Sequence, residues 1–103
     1  FRDPDGLATS SRNRRLSPEA RKIAPKIHEI LTKSAELSRN MSYSQIKSYV
    51  ECEFKMRKAF DLEYFEIVDA KTLQPVRRPS ENGTVGCVAV WLDGVRLIDI
   101  QKY

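Results

Sequence analysis

Cysteine, histidine and glycine are scarce in this chain of 103 residues, and long apolar segments are absent. The two cysteines, Cys52 and Cys87, lie too far apart for a metal-binding pair, and we expect two reduced, buried thiols of the kind found in cytosolic proteins. No apolar run approaches the roughly 20 residues that cross a bilayer, and residues 1–5 lack the apolar core of a signal peptide. These absences exclude the membrane-spanning and disulfide-rich classes, and we expect a cytoplasmic protein without a metal site.

The residues of a complete catalytic site are also missing. His28 is the only histidine, and no Cys, Asp or Ser stands at a spacing that suggests catalysis or metal binding, so we expect a structural or surface role for it. Asp3 and Asp5 resemble a carboxylate pair, but aspartate is common in turn-rich segments such as this one. No GxxxxGK[ST] phosphate-binding loop occurs. The sequence therefore predicts no self-contained active site, and packing is the expected role of Trp91.

Positive charge is what the chain has in excess, with a net charge of +4 and a pI near 9.2. The excess is concentrated in the N-terminal third, where the basic residues are Arg2, Arg12, Arg14, Arg15, Arg21, Lys22, Lys26 and Lys33. A basic patch of this kind fits nucleic acid, nucleotide phosphates or a solvated surface. Charge alone leaves these three interpretations open.

One short segment, residues 5–14, combines a glycine, two adjacent hydroxyls and several guanidinium groups just before a helix start. Arg12 can donate two parallel hydrogen bonds to a phosphate, and Ser10 and Ser11 can donate others. A mobile loop with these groups can close over a triphosphate and neutralise the charge of the leaving pyrophosphate. The alternative is that residues 10–13 are only a polar lead-in to the first helix. The residue types by themselves favour neither interpretation.

Two helices are predicted. The first begins after an N-cap at Ser17. The apolar residues that follow recur at helical spacing, which predicts a helix from about 18 to 39. Pro25 lies inside this helix and should kink or split it, because proline has no N–H to donate. A capping-box pattern at residues 42–45 begins the second helix, which runs from 43 to about 60. Its inner face is predicted at Ile46, Tyr49, Val50, Phe54 and Phe60.

The C-terminal part of the chain predicts strands. Residues 62–68 are rich in aromatic and β-branched side chains, and a long connection with Pro and Gly follows over 69–84. The run 85–92 is almost wholly apolar, which indicates a central strand covered by the helices. Asp-Gly at 93–94 predicts a two-residue turn, and 95–100 completes a hairpin. The expected fold is therefore α+β, a two-layer domain with helices packed on a three-stranded antiparallel β-sheet.

Four sequence segments have a counterpart in a known family. RDPDGLATSSRNRRL over residues 2–16 is similar to R-E-x-D-G-L-A-M-S-S-R-N-x-x-L. YFEIVD at 64–69, TLQP at 72–75 and GVRLID at 94–99 are similar to Y-x-E-V-V-D, T-L-x-P and G-x-T-R-L-I-D-N. These are segments of the pantothenate synthetase family, which this chain resembles over essentially its whole length.

The resemblance implies an enzyme that joins pantoate to β-alanine in two steps. ATP first converts the pantoate carboxylate to an acyl-adenylate with release of pyrophosphate, and the β-alanine amine then displaces AMP. The resemblance further implies that Ser10, Ser11 and Arg12 bind the ATP phosphates, with Ser10 and Arg12 as the catalytic residues. It places Thr9 and Phe1 on the adenine side. Mg²⁺ is expected with ATP, bound mainly outside this chain.

The resemblance also implies a division of roles between domains. It makes residues 1–16 an interdomain hinge and phosphate-binding loop, and residues 17–103 a C-terminal lid that closes over ATP. The pantoate and β-alanine sites belong to an N-terminal Rossmann-like domain, so we expect this chain to be an inactive fragment by itself and the complete enzyme to be a homodimer. Two positions depart from the family pattern: Thr9 replaces the usual Met, and Ile100 replaces the usual Asn.

The competing hypothesis is a small basic nucleic-acid-binding module, which the arginine-rich N-terminal third would support. Proteins that bind single strands interleave basic and aromatic side chains on a sheet surface. In this chain no Phe, Tyr or Trp occurs between Arg2 and Lys33, and the predicted strands carry few positive charges. The sequence therefore favours the ligase hypothesis over nucleic-acid binding.

Overall fold

Helices precede strands along the chain, as the sequence predicts. The computed structural model describes residues 2–78 and 81–103, so Phe1, Pro79 and Ser80 lie outside the described residues. The elements in chain order are a 3₁₀ helix Ser11–Arg15, α1 Pro18–Ile23, α2 Lys26–Leu37, α3 Tyr43–Lys55, β1 Phe60–Asp69, β2 Thr84–Leu92 and β3 Val95–Lys102. The strands form an antiparallel sheet in the order β1-β2-β3, and the helices form a second layer on it. The predicted two-layer α+β fold is confirmed.

Proline divides the first predicted helix in two. Helix α1 ends at Ile23 and α2 begins at Lys26, with Pro25 at the position before α2. Ser17 caps α1 as predicted, because its side chain accepts a hydrogen bond from the N–H of Ala20 (3.1 Å). The prediction of a kink or a split at Pro25 is confirmed as a split, and α2 ends two residues before the expected limit.

Helix α3 begins with the predicted capping box but ends earlier than expected. The Ser42 side chain accepts from the N–H of Gln45, and the Gln45 side chain accepts from the N–H of Ser42. The helix ends at Lys55, so the prediction that it reaches about 60 is wrong. Phe60 is the first residue of β1, where its ring meets the Phe54 ring edge-on at 5.4 Å. Phe60 lies in the core as expected, but a strand places it there.

The Asp-Gly hairpin is confirmed. Asp93 and Gly94 have φ angles of 55° and 73°, the left-handed values that a two-residue turn of this type requires. Strand β2 is hydrogen-bonded to β1 and β3, which confirms its central position. The Asp93 carboxylate also accepts a hydrogen bond from the N–H of Ser17 (2.9 Å), so the turn is fastened to the start of α1.

The helices cover only one face of the sheet. On that face the core contains Leu7, Ile27, Leu31, Ile46, Phe54, Phe65, Val88, Val90 and Leu97. The opposite face exposes Tyr64, Trp91, Ile98 and Ile100, with relative accessibilities of 38%, 39%, 49% and 52%. The prediction that β2 is covered by the helices is therefore right for one face alone. Trp91 lies on the other face, where its ring N–H donates to Glu63 (3.0 Å).

Both cysteines are free thiols, as predicted, but neither is fully buried. Cys52 is exposed on α3, and Cys87 is half-buried on the sheet face that the helices leave open. Burial raises the pKa of the Cys87 thiol. The expectation of two buried thiols is wrong for Cys52 because the buried side of α3 is formed by Ile46, Val50 and Phe54, and it holds only in part for Cys87, which the helices do not cover.

Candidate functional site

Residues 2–8, which precede the first helix, are folded into a turn. Its first and last residues, 2 and 8, pair in an antiparallel bridge. Inside this turn the N–H of Asp3 donates to the carbonyl of Leu7 (2.8 Å), and the N–H of Gly6 donates to the carbonyl of Asp3 (2.9 Å). Gly6 adopts φ 95°, which favours glycine, and Leu7 is buried in the core. This segment is therefore a closed turn packed against the domain.

A partly buried ion pair fastens this turn to the end of β3. Arg2 donates two parallel hydrogen bonds to the Asp99 carboxylate, from Nη1 to Oδ2 (2.6 Å) and from Nη2 to Oδ1 (2.8 Å). The same guanidinium donates to the carbonyls of Gly6 (2.9 Å) and Ile100 (3.2 Å). The Asp99 side chain is only 6% exposed. Arg2 therefore joins the two ends of the chain through three hydrogen bonds, and a fourth closes its own turn.

The substitution Asp99→Asn should lower the free energy of unfolding by about 1.5–3 kcal/mol, the usual contribution of a hydrogen bond to a charged group. The amide retains the shape of the carboxylate but loses its charge and presents a donor to the Arg2 guanidinium. Urea unfolding monitored by circular dichroism measures the change. Asp61→Asn, at an exposed position of β1, is the matched control and should change stability by less than about 0.5 kcal/mol. Equal effects of the two substitutions would contradict the anchoring role of Asp99.

Arg21 of α1 holds the two aspartates that the sequence marks as a carboxylate pair. Its guanidinium donates to Asp5 (Nη1–Oδ2 2.6 Å) and to Asp3 (Nη2–Oδ2 2.9 Å). The hydrogen bond from Arg21 holds the pKa of Asp5 below its ordinary value, and the bond to Asp5 raises the pKa of Arg21. A general acid needs a raised carboxyl pKa, so this geometry supports a structural role for the pair. These bonds also fasten the N-terminal turn to α1.

Removal of this arginine should be visible in a titration. In Arg21→Gln, the pKa of Asp5 should rise toward the ordinary aspartate value of about 3.9. Because the pKa of Asp5 is lowered in the folded state, the pair stabilises the fold above the unfolded-state pKa, and this contribution is lost as the pH falls through the folded-state pKa. Carboxyl-carbon NMR of Asp5 measures the shift. Arg14→Gln is the control, and an unchanged Asp5 pKa in Arg21→Gln would contradict the assignment.

Residues 10–12, which we call the tip, are exposed side by side at the start of the 3₁₀ helix. The Ser10 hydroxyl oxygen accepts from the N–H of Arg12 (3.2 Å), so its own proton remains available to an external acceptor. Within residues 2–78 and 81–103, no ion pair includes Arg12. The three predicted phosphate-binding side chains are therefore brought together, and none of them is committed to a carboxylate.

Asn13 holds the tip in place, a role that the sequence interpretation missed. Its side-chain N–H donates to the carbonyl of Ala8 (3.0 Å), and its backbone N–H donates to the carbonyl of Ser10 (3.2 Å). Its Oδ1 is buried and has no hydrogen-bond partner among the residues that the structure describes. The only sequence indication is its position directly after Arg12, in a residue type that commonly bonds to nearby backbone.

The tip borders a cavity of about 270 Å³. It is lined by Ser10, Arg12 and Asn13 together with Leu97, Ile98 and Asp99 of β3. Thr9 also lines this cavity, and its hydroxyl donates to Asp3 (3.1 Å). Phe1 lies outside the described residues, so its predicted position beside adenine stays a prediction.

His28 packs against the N-terminal turn. A Cβ atom added at Gly6 would lie 2.6 Å from the His28 ring, so the two residues are in close contact. The His28 Nε2 lies 3.5 Å from the hydroxyl of Thr32. These contacts support the structural role expected for His28.

Neither a metal centre nor a membrane span is formed by the part of the chain that the structure describes. No group of three or more His, Cys, Asp or Glu side chains in that part is placed to hold a metal ion. Its helices are too short or too polar to cross a membrane. What the described residues do offer is a cluster of hydrogen-bond donors with a free positive charge, which suits an anionic ligand.

The chain is similar to known proteins over nearly its whole length. A family model described as "Pantoate-beta-alanine ligase" matches residues 1–102. The pantothenate synthetase of Bacteroides fragilis is 45% identical over 103 residues, which are 99% of this chain and 36% of that protein. The pantothenate synthetase of Porphyromonas gingivalis is 41% identical over 104 residues, which are 100% of this chain and 37% of that protein.

The fold comparison gives the same family. A crystal structure of pantothenate synthetase from Thermus thermophilus matches with a TM-score of 0.89 and 35% identity, covering 99% of this chain and 37% of that one. The chain spans little more than a third of the length of these relatives. Sequence and fold thus agree over nearly all of its residues, and the chain belongs to the pantoate–β-alanine ligase family.

Proposed function

We propose that this chain is the C-terminal lid domain of a pantothenate synthetase, and that its tip binds the phosphates of ATP. In the reaction of the complete enzyme, an oxygen of the pantoate carboxylate attacks the α-phosphorus of ATP and the bond to pyrophosphate breaks. The β-alanine amine then attacks the acyl carbon, and AMP leaves. In this proposal residues 1–16 are the hinge and phosphate-binding loop, and residues 17–103 are the lid.

The main observation that supports the proposal is that the positive charge of the tip is exposed and unpaired among the described residues. Arg2 and Arg21 are engaged by aspartates, whereas Arg12 is exposed and, among the described residues, has no carboxylate partner. An incoming phosphate therefore does not have to displace a carboxylate from Arg12. As pyrophosphate leaves, negative charge develops on its oxygens, and donors already aimed at them stabilise that charge.

The roles within the site follow from the donors. Arg12 and Ser10 act on the leaving pyrophosphate, and Ser11 binds a further phosphate oxygen. Thr9 and Phe1 lie on the adenine side, where Thr9 offers less apolar surface than the family's usual Met. The aspartates around the tip are all occupied by arginines, Asp99 of the cavity wall by Arg2 and Asp3 and Asp5 by Arg21, so the residues present do not suit Mg²⁺. We assign the Mg²⁺ that accompanies ATP to its phosphates and to residues outside this chain.

The partners of the lid follow from the same assignment. The remainder of the enzyme carries the pantoate and β-alanine sites, and the complete enzyme is a cytoplasmic homodimer. The family match favours this function over the nucleic-acid-binding alternative. The surroundings of the exposed Trp91 also disfavour nucleic-acid binding. Its ring N–H and the neighbouring Arg96 both bond to the acidic Glu63, so neither is free to contact a nucleic acid.

Isotope exchange tests the proposed function. The complete enzyme that contains this chain should exchange labelled pyrophosphate into ATP when pantoate is present and β-alanine is absent, because adenylate formation is reversible. The 103-residue chain alone should give no exchange and form no pantothenate. Exchange without pantoate, or tight and salt-dependent oligonucleotide binding in place of exchange, would contradict the proposal.

A further inference from the structure

The sheet face opposite the helices carries an apolar surface that no element of the described chain covers. We call it the open face, and it consists of Tyr64, Val68, Val85, Cys87, Ala89, Trp91, Ile98 and Ile100. In the strand register Ala89 lies between Tyr64 and Ile98, and Cys87 lies beside Ile100. Ala89 is fully buried between its larger neighbours. The half-exposed side chains therefore form one continuous patch.

The residue pattern of β2 is that of a strand with protein on both sides. An antiparallel sheet with one face in water usually alternates apolar and polar residues along each strand. The positions of β2 on the open face are Val85, Cys87, Ala89 and Trp91, and none is charged. Trp and Tyr are also the residues that most often carry binding energy at protein interfaces. The pattern indicates a covered surface.

We propose that the open face is the surface on which the lid docks against the remainder of the pantothenate synthetase polypeptide. This inference rests on the proposed function, because it requires a further domain that completes the ATP site. The relatives are long enough to contain such a domain, since this chain spans 36–37% of their length.

The position of the tip indicates that the remainder of the polypeptide is the protein that covers the open face. Ser10, Arg12 and Ile98 line the same cavity, so a protein surface that holds ATP against the tip also reaches the margin of the open face. Arg2 donates to the carbonyl of Ile100 (3.2 Å), which places the N-terminal turn at the same margin. The tip and the open face therefore meet along β3 and can be covered by one partner.

The charges around the open face leave its centre free for apolar contact. Glu63 binds Arg96 (2.7 Å), and Glu66 binds Lys47 (2.9 Å). These groups neutralise one another within the chain. Lys102, exposed beside Val85 at the end of β3, is in no ion pair among the described residues. A single unpaired cation is a weak basic field for a nucleic acid or an acidic lipid surface, and an apolar protein surface is the better complement.

The two native thiols report on this docking. Cys87 lies in the open face, whereas Cys52 is exposed on α3 and serves as an internal reference. We compare thiol labelling in the complete enzyme with labelling in the 103-residue chain, after a cooperative thermal melt has shown that the latter is folded. The labelling rate of Cys87 relative to Cys52 should be roughly tenfold lower in the complete enzyme, because docking limits access to the thiol.

A double variant tests the apolar contact itself. Ile98→Thr with Ile100→Thr retains β-branched side chains suited to a strand but removes apolar surface from the open face. In the complete enzyme it should raise the relative labelling of Cys87 toward that of the 103-residue chain. Ile23→Gln, at an apolar residue that is 40% exposed at the end of α1, should leave labelling unchanged.

Two results would overturn the inference. One is an equal relative labelling rate of Cys87 in the complete enzyme and in the 103-residue chain. The other is self-association of that chain, measured by light scattering and abolished by the double variant, which would assign the open face to a second copy. The proposed function can fail independently of the docking surface. Absence of pantoate-dependent exchange would contradict the proposed function, whereas protection of Cys87 in the same enzyme would still support docking at the open face.

Discussion

Replacing Arg12 with alanine in the complete enzyme should slow pyrophosphate release by about 100- to 1,000-fold, the effect of removing one donor that stabilises developing charge. Arg12 is exposed and unpaired among the described residues, so its guanidinium can bond fully to the leaving phosphates. The effect should fall on the turnover rate more than on the KM for ATP, because the charge develops in the transition state. Single-turnover measurement of pyrophosphate release with pantoate and ATP gives the rate directly.

Two further variants make this prediction specific. Arg14→Ala removes an exposed arginine from the same 3₁₀ helix and should leave the rate near that of the unmodified enzyme. Arg12→Lys should recover part of the loss, because lysine keeps the charge but cannot donate two parallel hydrogen bonds. If Arg12→Ala and Arg14→Ala had the same rate, the catalytic assignment of Arg12 would be wrong.

The substitution Phe54→Ala should lower the free energy of unfolding by about 3–5 kcal/mol, which is a large share of the stability of a small domain. Phe54 has no exposed surface, and its ring packs edge-on against Phe60 at the junction of α3 and β1. Alanine leaves a cavity there that the surrounding backbone cannot fill. Met56→Ala, two residues further along the chain and 65% exposed, is the control and should cost less than about 0.5 kcal/mol. Urea unfolding of both variants makes the comparison, and similar losses would contradict the proposed core.

The features predicted correctly from the sequence are those that a few adjacent residues determine. The caps at Ser17 and Ser42, the break at Pro25 and the turn at 93–94 each depend on a local hydrogen bond or a restricted backbone angle. The order of helices and strands follows from hydrophobic periodicity. These local features were sufficient for the two-layer α+β fold.

The features that the sequence did not predict depend on contacts between distant residues. Arg2 and Asp99 form an ion pair across almost the whole chain, and no spacing rule connects them. Phe60 fits both the helical spacing of α3 and the alternation of β1, so only packing against Phe54 decides its position. The apolar run of β2 likewise does not reveal whether a helix or another domain covers each face.

The candidate site was predicted in part. The donors of the tip were identified from residue type and from the family resemblance, and the structure brings Ser10, Ser11 and Arg12 together at the surface. The contacts that fix the tip and the N-terminal turn were not predicted. Asn13 and Arg21 act through hydrogen bonds to a carbonyl and to carboxylates, and their residue types are common on any solvated surface.

The most direct test of the central claim is a crystal structure of the complete enzyme with pantoate and a non-hydrolysable ATP analogue. The proposal predicts that the Arg12 guanidinium and the hydroxyls of Ser10 and Ser11 lie within about 3 Å of phosphate oxygens, the distance of a hydrogen bond. Phosphates bound entirely by the remainder of the enzyme, with every atom of the tip beyond hydrogen-bond reach, would contradict it.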